Sequence, residues 1–139
     1  MDAKQLMRTI ASAFAHSDLQ PLLNVLHQDI VWKSASNNPI FSFHGEHKGL
    51  TGVREVLANV AKDYTFHALT VKEIVSSGDV VWGLFDAVLS YDPKGKGVVP
   101  QLVELEMAIR WRLKDGKIIE HSTFFDTAHL LIQQGRLRP

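Results

Sequence analysis

Apolar positions recur at two different spacings along this chain, and the change from one to the other separates a helical first part from a stranded second part. Between Ala3 and Phe14, Leu6, Met7, Ile10 and Phe14 fall at helical spacing with Lys4, Gln5 and Arg8 on other faces, predicting an amphipathic first helix. Ser17 and, three residues on, Gln20 have the spacing of a capping box. Pro21 is tolerated in the turn that follows, because its missing donor would have had no helical partner. The second helix is short and ends at about His27. Ile30, Val31 and Trp32 then read as a strand, stopped by the loop residues Ser36, Asn37, Asn38 and Pro39. Phe41 and Phe43 alternate with Ser42 and His44, which predicts a short strand ending at Gly45. Leu50, Val53, Val56, Leu57, Val60 and Tyr64 share one stripe and predict a third helix, with Thr51 as its candidate cap.

After Tyr64 the period becomes two. Strands are predicted from Phe66 to Ser76 and from Val80 to Tyr91, joined by a turn at Ser77, Gly78 and Asp79 and followed by a loop from Asp92 to Gly97. Parity puts Trp82 with Leu84 and Asp86 on one face, and Phe85 with Gly83 and Ala87 on the other. A long strand from Val103 turns at Asp115-Gly116, a dipeptide that accepts positive φ at both central positions of a two-residue hairpin. That turn sets a register. Lys114 pairs with Lys117, and stepping outward Leu113 meets Ile118, Trp111 meets Glu120, Ile109 meets Ser122, Met107 meets Phe124 and Leu105 meets Asp126. This face is the apolar one and is expected to be covered by helices. A single β-bulge would reverse the assignment beyond it.

Composition then narrows the class. Residues 1–139 suffice for a single domain burying roughly two thirds of its unfolded surface. Fifteen basic residues balance fifteen acidic ones without a block of either sign. The footprint of a nucleic-acid or anionic-membrane binder is therefore missing, and the expected partner is a small apolar molecule or another protein. The absence of cysteine excludes disulfide and thiolate chemistry, and with no early apolar stretch the expected location is cytoplasmic.

The candidate chemistry centres on Asp126, a carboxylate where the pattern asks for a core residue. In an apolar cavity its charged form is disfavoured, which suits a group that moves a proton near neutral pH. Asp126 followed by Thr127, Ala128, His129 and Leu130 is equally a helix N-cap, and both roles stand. Trp32, Phe43, Tyr64 and Trp82 are candidates to wall a pocket, joined by Met107, Trp111 and Phe124 from the last hairpin. His44, Glu46 and His47 have ligating side chains, but spacings of two and three in a loop rarely converge, so no metal is expected. The same register puts His121 on the outer face beside Arg110, and Arg136 and Arg138 read as a soluble tail.

Three helices, the Gly45 to Gly49 approach to the third, the long strands, and the closing pattern from Trp111 to Gln134 together resemble the SnoaL-like branch of the nuclear transport factor two-like superfamily. Asp115-Gly116-Lys117, Glu120-His121 and Phe125-Asp126 before the last helix are the most telling residues. The resemblance implies an α+β fold: a cone-shaped, strongly curved mixed sheet, mostly antiparallel, wrapped around three N-terminal helices, with a short C-terminal helix. It further implies an internal pocket and a homodimer through the outer sheet face. Asp126 matches the acid of the cyclases in that family. The cyclases' partner histidine has no counterpart, since Arg110 and Arg112 stand there. Lys33 and Ser34 occupy the place of the steroid isomerases' base, and Ala108 or Ile109 that of their second acid. Two functions follow as expectations. One is a cofactor-independent cyclase, isomerase, dehydratase or hydrolase acting on a small apolar carbonyl or hydroxyl compound through Asp126. The other is a non-catalytic dimeric ligand-binding module.

Overall fold

The computed structural model describes residues 2–16 and 18–136. Three helices come first: α1 (Ala3–Ala15), α2 (Gln20–Val25) and α3 (Gly49–Asp63), with β1 (Leu26–Lys33) and β2 (Glu46–Lys48) between the last two. The strands β3 (Tyr64–Ser77), β4 (Val80–Tyr91), β5 (Gln101–Lys114) and β6 (Lys117–Phe124) follow, and α4 (Thr127–Gln133) ends the described fold. They form one six-stranded, curved and unclosed sheet in the order β2-β1-β6-β5-β4-β3. Only β1 and β6 pair in parallel, so the sheet is mixed and mostly antiparallel, as expected. No described helix is long and apolar enough to cross a membrane.

The helices lie where their apolar stripes require. Leu6, Met7, Ile10, Ala11 and Ala13 of α1 are buried, and the helix starts in a capping box in which Asp2 accepts from Gln5 N while the Gln5 side chain reaches back. Close approach of α1 to the sheet depends on Gly83 of β4. A Cβ built there would stand 2.3 Å from Met7 Sδ and 2.7 Å from a Phe85 ring carbon. Val53, Val56 and Leu57 of α3 pack into the same core as Trp32, Phe85, Ile109, Trp111 and Ile118. A second apolar group, with Phe41, Tyr64, Leu89, Val103, Leu105 and Leu130, sits beneath α4.

Three local expectations are corrected. Residues 41–44 form turns rather than a strand; the Phe41 and Phe43 rings stack at 4.9 Å, and His44 N donates to Phe41 O at 3.2 Å. The short strand is β2 instead, paired with β1 from Val31↔Lys48 to Lys33↔Glu46. At the start of α3, Lys48 is the cap residue and Thr51 makes no cap. Ser17 and Arg138 lie outside the described residues, and Gln20 N is met by Asp18 Oδ1 at 3.3 Å.

The third correction decides the site. Asp115 (φ 53°) and Gly116 (φ 75°) form the expected tight turn, and Lys114↔Lys117 and Leu113↔Ile118 pair as expected. The register then shifts: Arg112 pairs with Glu120, Trp111 with His121, Arg110 with Ser122, Ile109 with Thr123 and Ala108 with Phe124. Ile119 is the extra residue, a β-bulge, and beyond it every side chain of β6 exchanges faces. His121 and Thr123 turn inward, while Glu120, Ser122 and Phe124 turn outward.

Candidate functional site

A cavity of about 110 Å3 lies between the concave face of the sheet and the helices. Its wall takes Ile10 and Phe14 from α1, Val56, Leu57 and Val60 from α3, and Phe85, Met107, Ile109 and Trp111 from β4 and β5. Trp32 and Ser34 enter from β1 and the residues after it, Phe43 from the turn, Tyr64, Phe66 and Leu69 from β3, His121, Thr123 and Phe125 from β6 and its end, and Leu130 from α4. Among the described lining residues there is no carboxylate, lysine or arginine, and the titrating groups are Tyr64 and His121.

His121 is held on three sides. Its ring stacks on Trp32 at a centroid distance of 3.6 Å with the planes 9° apart. Trp111 Nε1 donates to His121 Nδ1 at 3.0 Å, and His121 Nε2 lies 2.7 Å from Thr123 Oγ1. An indole nitrogen can only donate, so Nδ1 accepts and the neutral ring carries its proton on Nε2, which donates to the threonine oxygen. Burial pulls the imidazole down to about 3, because nothing beside it offsets the cost of desolvating a cation. His121 is therefore neutral at physiological pH.

Tyr64 marks another side of the wall. Gln134 Nε2 donates to its hydroxyl, and burial pushes the phenol up, the Gln134 hydrogen bond acting in the opposite sense. Among the described residues Gln134 Oε1 and Ser42 Oγ are buried without a hydrogen-bond partner. The Phe43 ring lies 6.2 Å from Tyr64 and 5.8 Å from Phe125, so these three rings form one aromatic run, and Ser34 Oγ donates to Phe43 O.

Of the residues singled out from the sequence, Trp32, Phe43, Tyr64, Met107 and Trp111 come together on this wall. Three do not. Trp82 and Phe124 are on the outer face, 41% and 50% exposed, with rings stacked at 5.8 Å. Asp126 is exposed and caps α4, its Oδ1 accepting from His129 N at 3.0 Å. The bulge at Ile119 moves Phe124 outward, and β6 ends before Asp126 can pair with Leu105. His44 and His47 spend ring nitrogens on the carbonyls of Phe41 and His44, and no metal-holding cluster occurs among the described residues.

The unbulged register hid His121, Thr123 and Phe125. One signal was available in charge. Shifting β6 by one residue brings Glu120 opposite Arg112, where its carboxylate meets Arg110 Nη1 at 3.0 Å and Arg112 Nε at 3.2 Å. These two guanidiniums hold the Glu120 carboxyl below the usual range, Arg110 contributing more.

Comparison with known proteins adds the following. Residues 7–121 match the model of the SnoaL-like domain. Curated proteins give no match to the sequence. Among solved structures, an NTF2-like protein of unknown function from Burkholderia pseudomallei is similar with TM-score 0.76 at 20% identity, covering 94% of this chain and 95% of that one. TerC co-crystallised with polyporic acid is similar with TM-score 0.74 at 20% identity, with coverage of 94% and 95%. A proposed SnoaL-like polyketide cyclase from Mesorhizobium loti is similar with TM-score 0.66 at 18% identity, with coverage of 89% and 99%. At these identities the likeness is one of fold.

Proposed function

The chain belongs to the SnoaL-like domain family, and from that premise we propose that it is a small-molecule pocket protein that captures a compact, neutral, largely apolar compound. The observation that carries the reading is the wall itself, apolar on every element and interrupted only by neutral polar groups. Burying an ion there without a counter-charge is unfavourable by several kcal/mol, so an uncharged occupant is favoured. The volume of about 110 Å3 is of the order of the ~150 Å3 cavities that hold one benzene ring, which sets the scale at a single six-membered ring. Of the two functions raised by the sequence, the binding module is the better supported. Asp126 is engaged at the start of α4, and the titrating groups on the wall are held by other side chains, His121 by Trp111 and Thr123 and Tyr64 by Gln134.

Trp32 and Trp111 report on occupancy. Titration with cyclohexanone and with toluene is expected to give a saturable change in tryptophan emission and a raised melting temperature, while benzoate at neutral pH gives neither. Absence of saturation with both neutral compounds would remove the pocket reading.

We further propose self-association through the outer sheet face. Its support is the exposed Trp82–Phe124 stack, bordered by Lys72 with Glu106 at 2.7 Å and by Arg112 with Asp79 at 2.9 Å. Exposed ion pairs contribute little, about 0–1 kcal/mol each, so the rings supply the attraction and the charges the orientation. Sedimentation is expected to show a dimer at micromolar concentration that Trp82→Lys converts to monomer. A wild-type monomer throughout that range would exclude it.

A further inference from the structure

We infer that the polar end of the cavity is a one-way hydrogen-bond donor terminating at the Thr123 hydroxyl, so that the compound it selects presents a neutral acceptor such as a carbonyl oxygen. The inference rests on the pocket reading above and names the chemistry of the occupant.

The direction of the chain is forced from its far end. Trp111 Nε1 has a hydrogen and no lone pair to offer, so its 3.0 Å contact fixes His121 Nδ1 as an acceptor. A neutral imidazole then has one hydrogen, on Nε2, and the 2.7 Å contact delivers it to Thr123 Oγ1. The opposite sense would leave Nδ1–H facing the indole N–H, two buried donors pointed at each other. Stacking on Trp32 at 3.6 Å fixes the plane of the ring. Thr123 now accepts from the histidine, and its own hydrogen has no acceptor among the described residues. Because Thr123 lines the cavity, that hydrogen is available to the occupant.

Each donor along such a chain is strengthened by the one behind it, so the terminal hydroxyl is a better donor than an isolated threonine. A cation finds no ionised partner on this wall, and an anion would be desolvated with no lysine or arginine lining the cavity. A ketone, aldehyde or ester carbonyl on a small apolar body meets both conditions.

The test uses two probes of nearly the same shape, cyclohexanone and methylenecyclohexane, titrated by tryptophan fluorescence into wild type, Thr123→Val and Thr123→Ser. Their absolute affinities differ through hydration, so the ratio of the two Kd values is the readout. In Thr123→Val the cyclohexanone Kd is expected to weaken by about 3- to 10-fold, the worth of one neutral hydrogen bond, with methylenecyclohexane unchanged. Thr123→Ser is expected to restore the wild-type ratio. Nitrogen NMR of the wild type should find His121 protonated on Nε2 and not on Nδ1. An unchanged ratio in Thr123→Val, or a proton on Nδ1, overturns the inference and leaves the pocket reading intact. Binding of neither probe to wild type removes the pocket reading and the inference with it.

Discussion

Replacing His121 by glutamine should remove a specific part of the acid sensitivity of this fold. The folded-state imidazole stands at about 3 against an ordinary value of 6.5. Between those values the unfolded chain binds a proton that the folded chain refuses, so the contribution is fully present above pH 6.5 and is lost as pH falls toward 3. Moving from pH 7 to pH 5 protonates the unfolded-state histidine almost completely and leaves the folded one neutral. The linked loss is about 2 kcal/mol, with a limiting slope of about 1.4 kcal/mol per pH unit. The assay is urea unfolding of wild type and His121→Gln at both pH values, read as the difference in each protein's own loss, so that the other histidines cancel. Wild type is expected to lose about 2 kcal/mol more than the variant over that interval. Equal losses, or an NMR titration of His121 centred near 6.5, would refute the burial argument.

Three further outcomes are expected. Gly83→Ala should cost about 1–3 kcal/mol of stability by urea unfolding, because the added methyl must displace the buried Met7 thioether and the Phe85 ring. Tyr64→Phe leaves the Gln134 amide buried without the hydroxyl it donates to, and an unfolding measurement should find a loss of about 1–2 kcal/mol. Asp126→Ala should lose about 1 kcal/mol through the vacated cap of α4 while the cyclohexanone Kd stays at its wild-type value; a clear loss of binding would return Asp126 to the pocket.

Much of the architecture was legible because local chemistry and global fold agree. The α1 stripe, the Val80–Tyr91 strand with its parity, and the Asp115-Gly116 turn each follow from a few residues whose preferences point one way. The segment Phe41–His44 shows where a two-residue period fails. Four alternating residues do not distinguish a strand from a turn whose two rings fold inward together. The cavity wall on β6 departs from the expected faces for a different reason. Unbulged, Ile118, Glu120, Ser122, Phe124 and Asp126 face inward; bulged, the set is Ile118, His121, Thr123 and Phe125. Hydrophobicity along β6 alone separates these two sets poorly. The choice is made by partners distant in sequence: Trp111 and Trp32, which flank His121, and Arg110 and Arg112, which claim Glu120.

The bulge at Ile119 also makes the cavity's chemistry a matter of reading frame. Were Ile119 kept and paired regularly with Arg112, Glu120 and Ser122 would face inward in place of His121 and Thr123; deleting Ile119 would instead keep Trp111 opposite His121 and leave both cavity side chains where they are. A neutral donor site and an acidic site thus differ by one step of strand register on the same scaffold, and the bulge selects the neutral one.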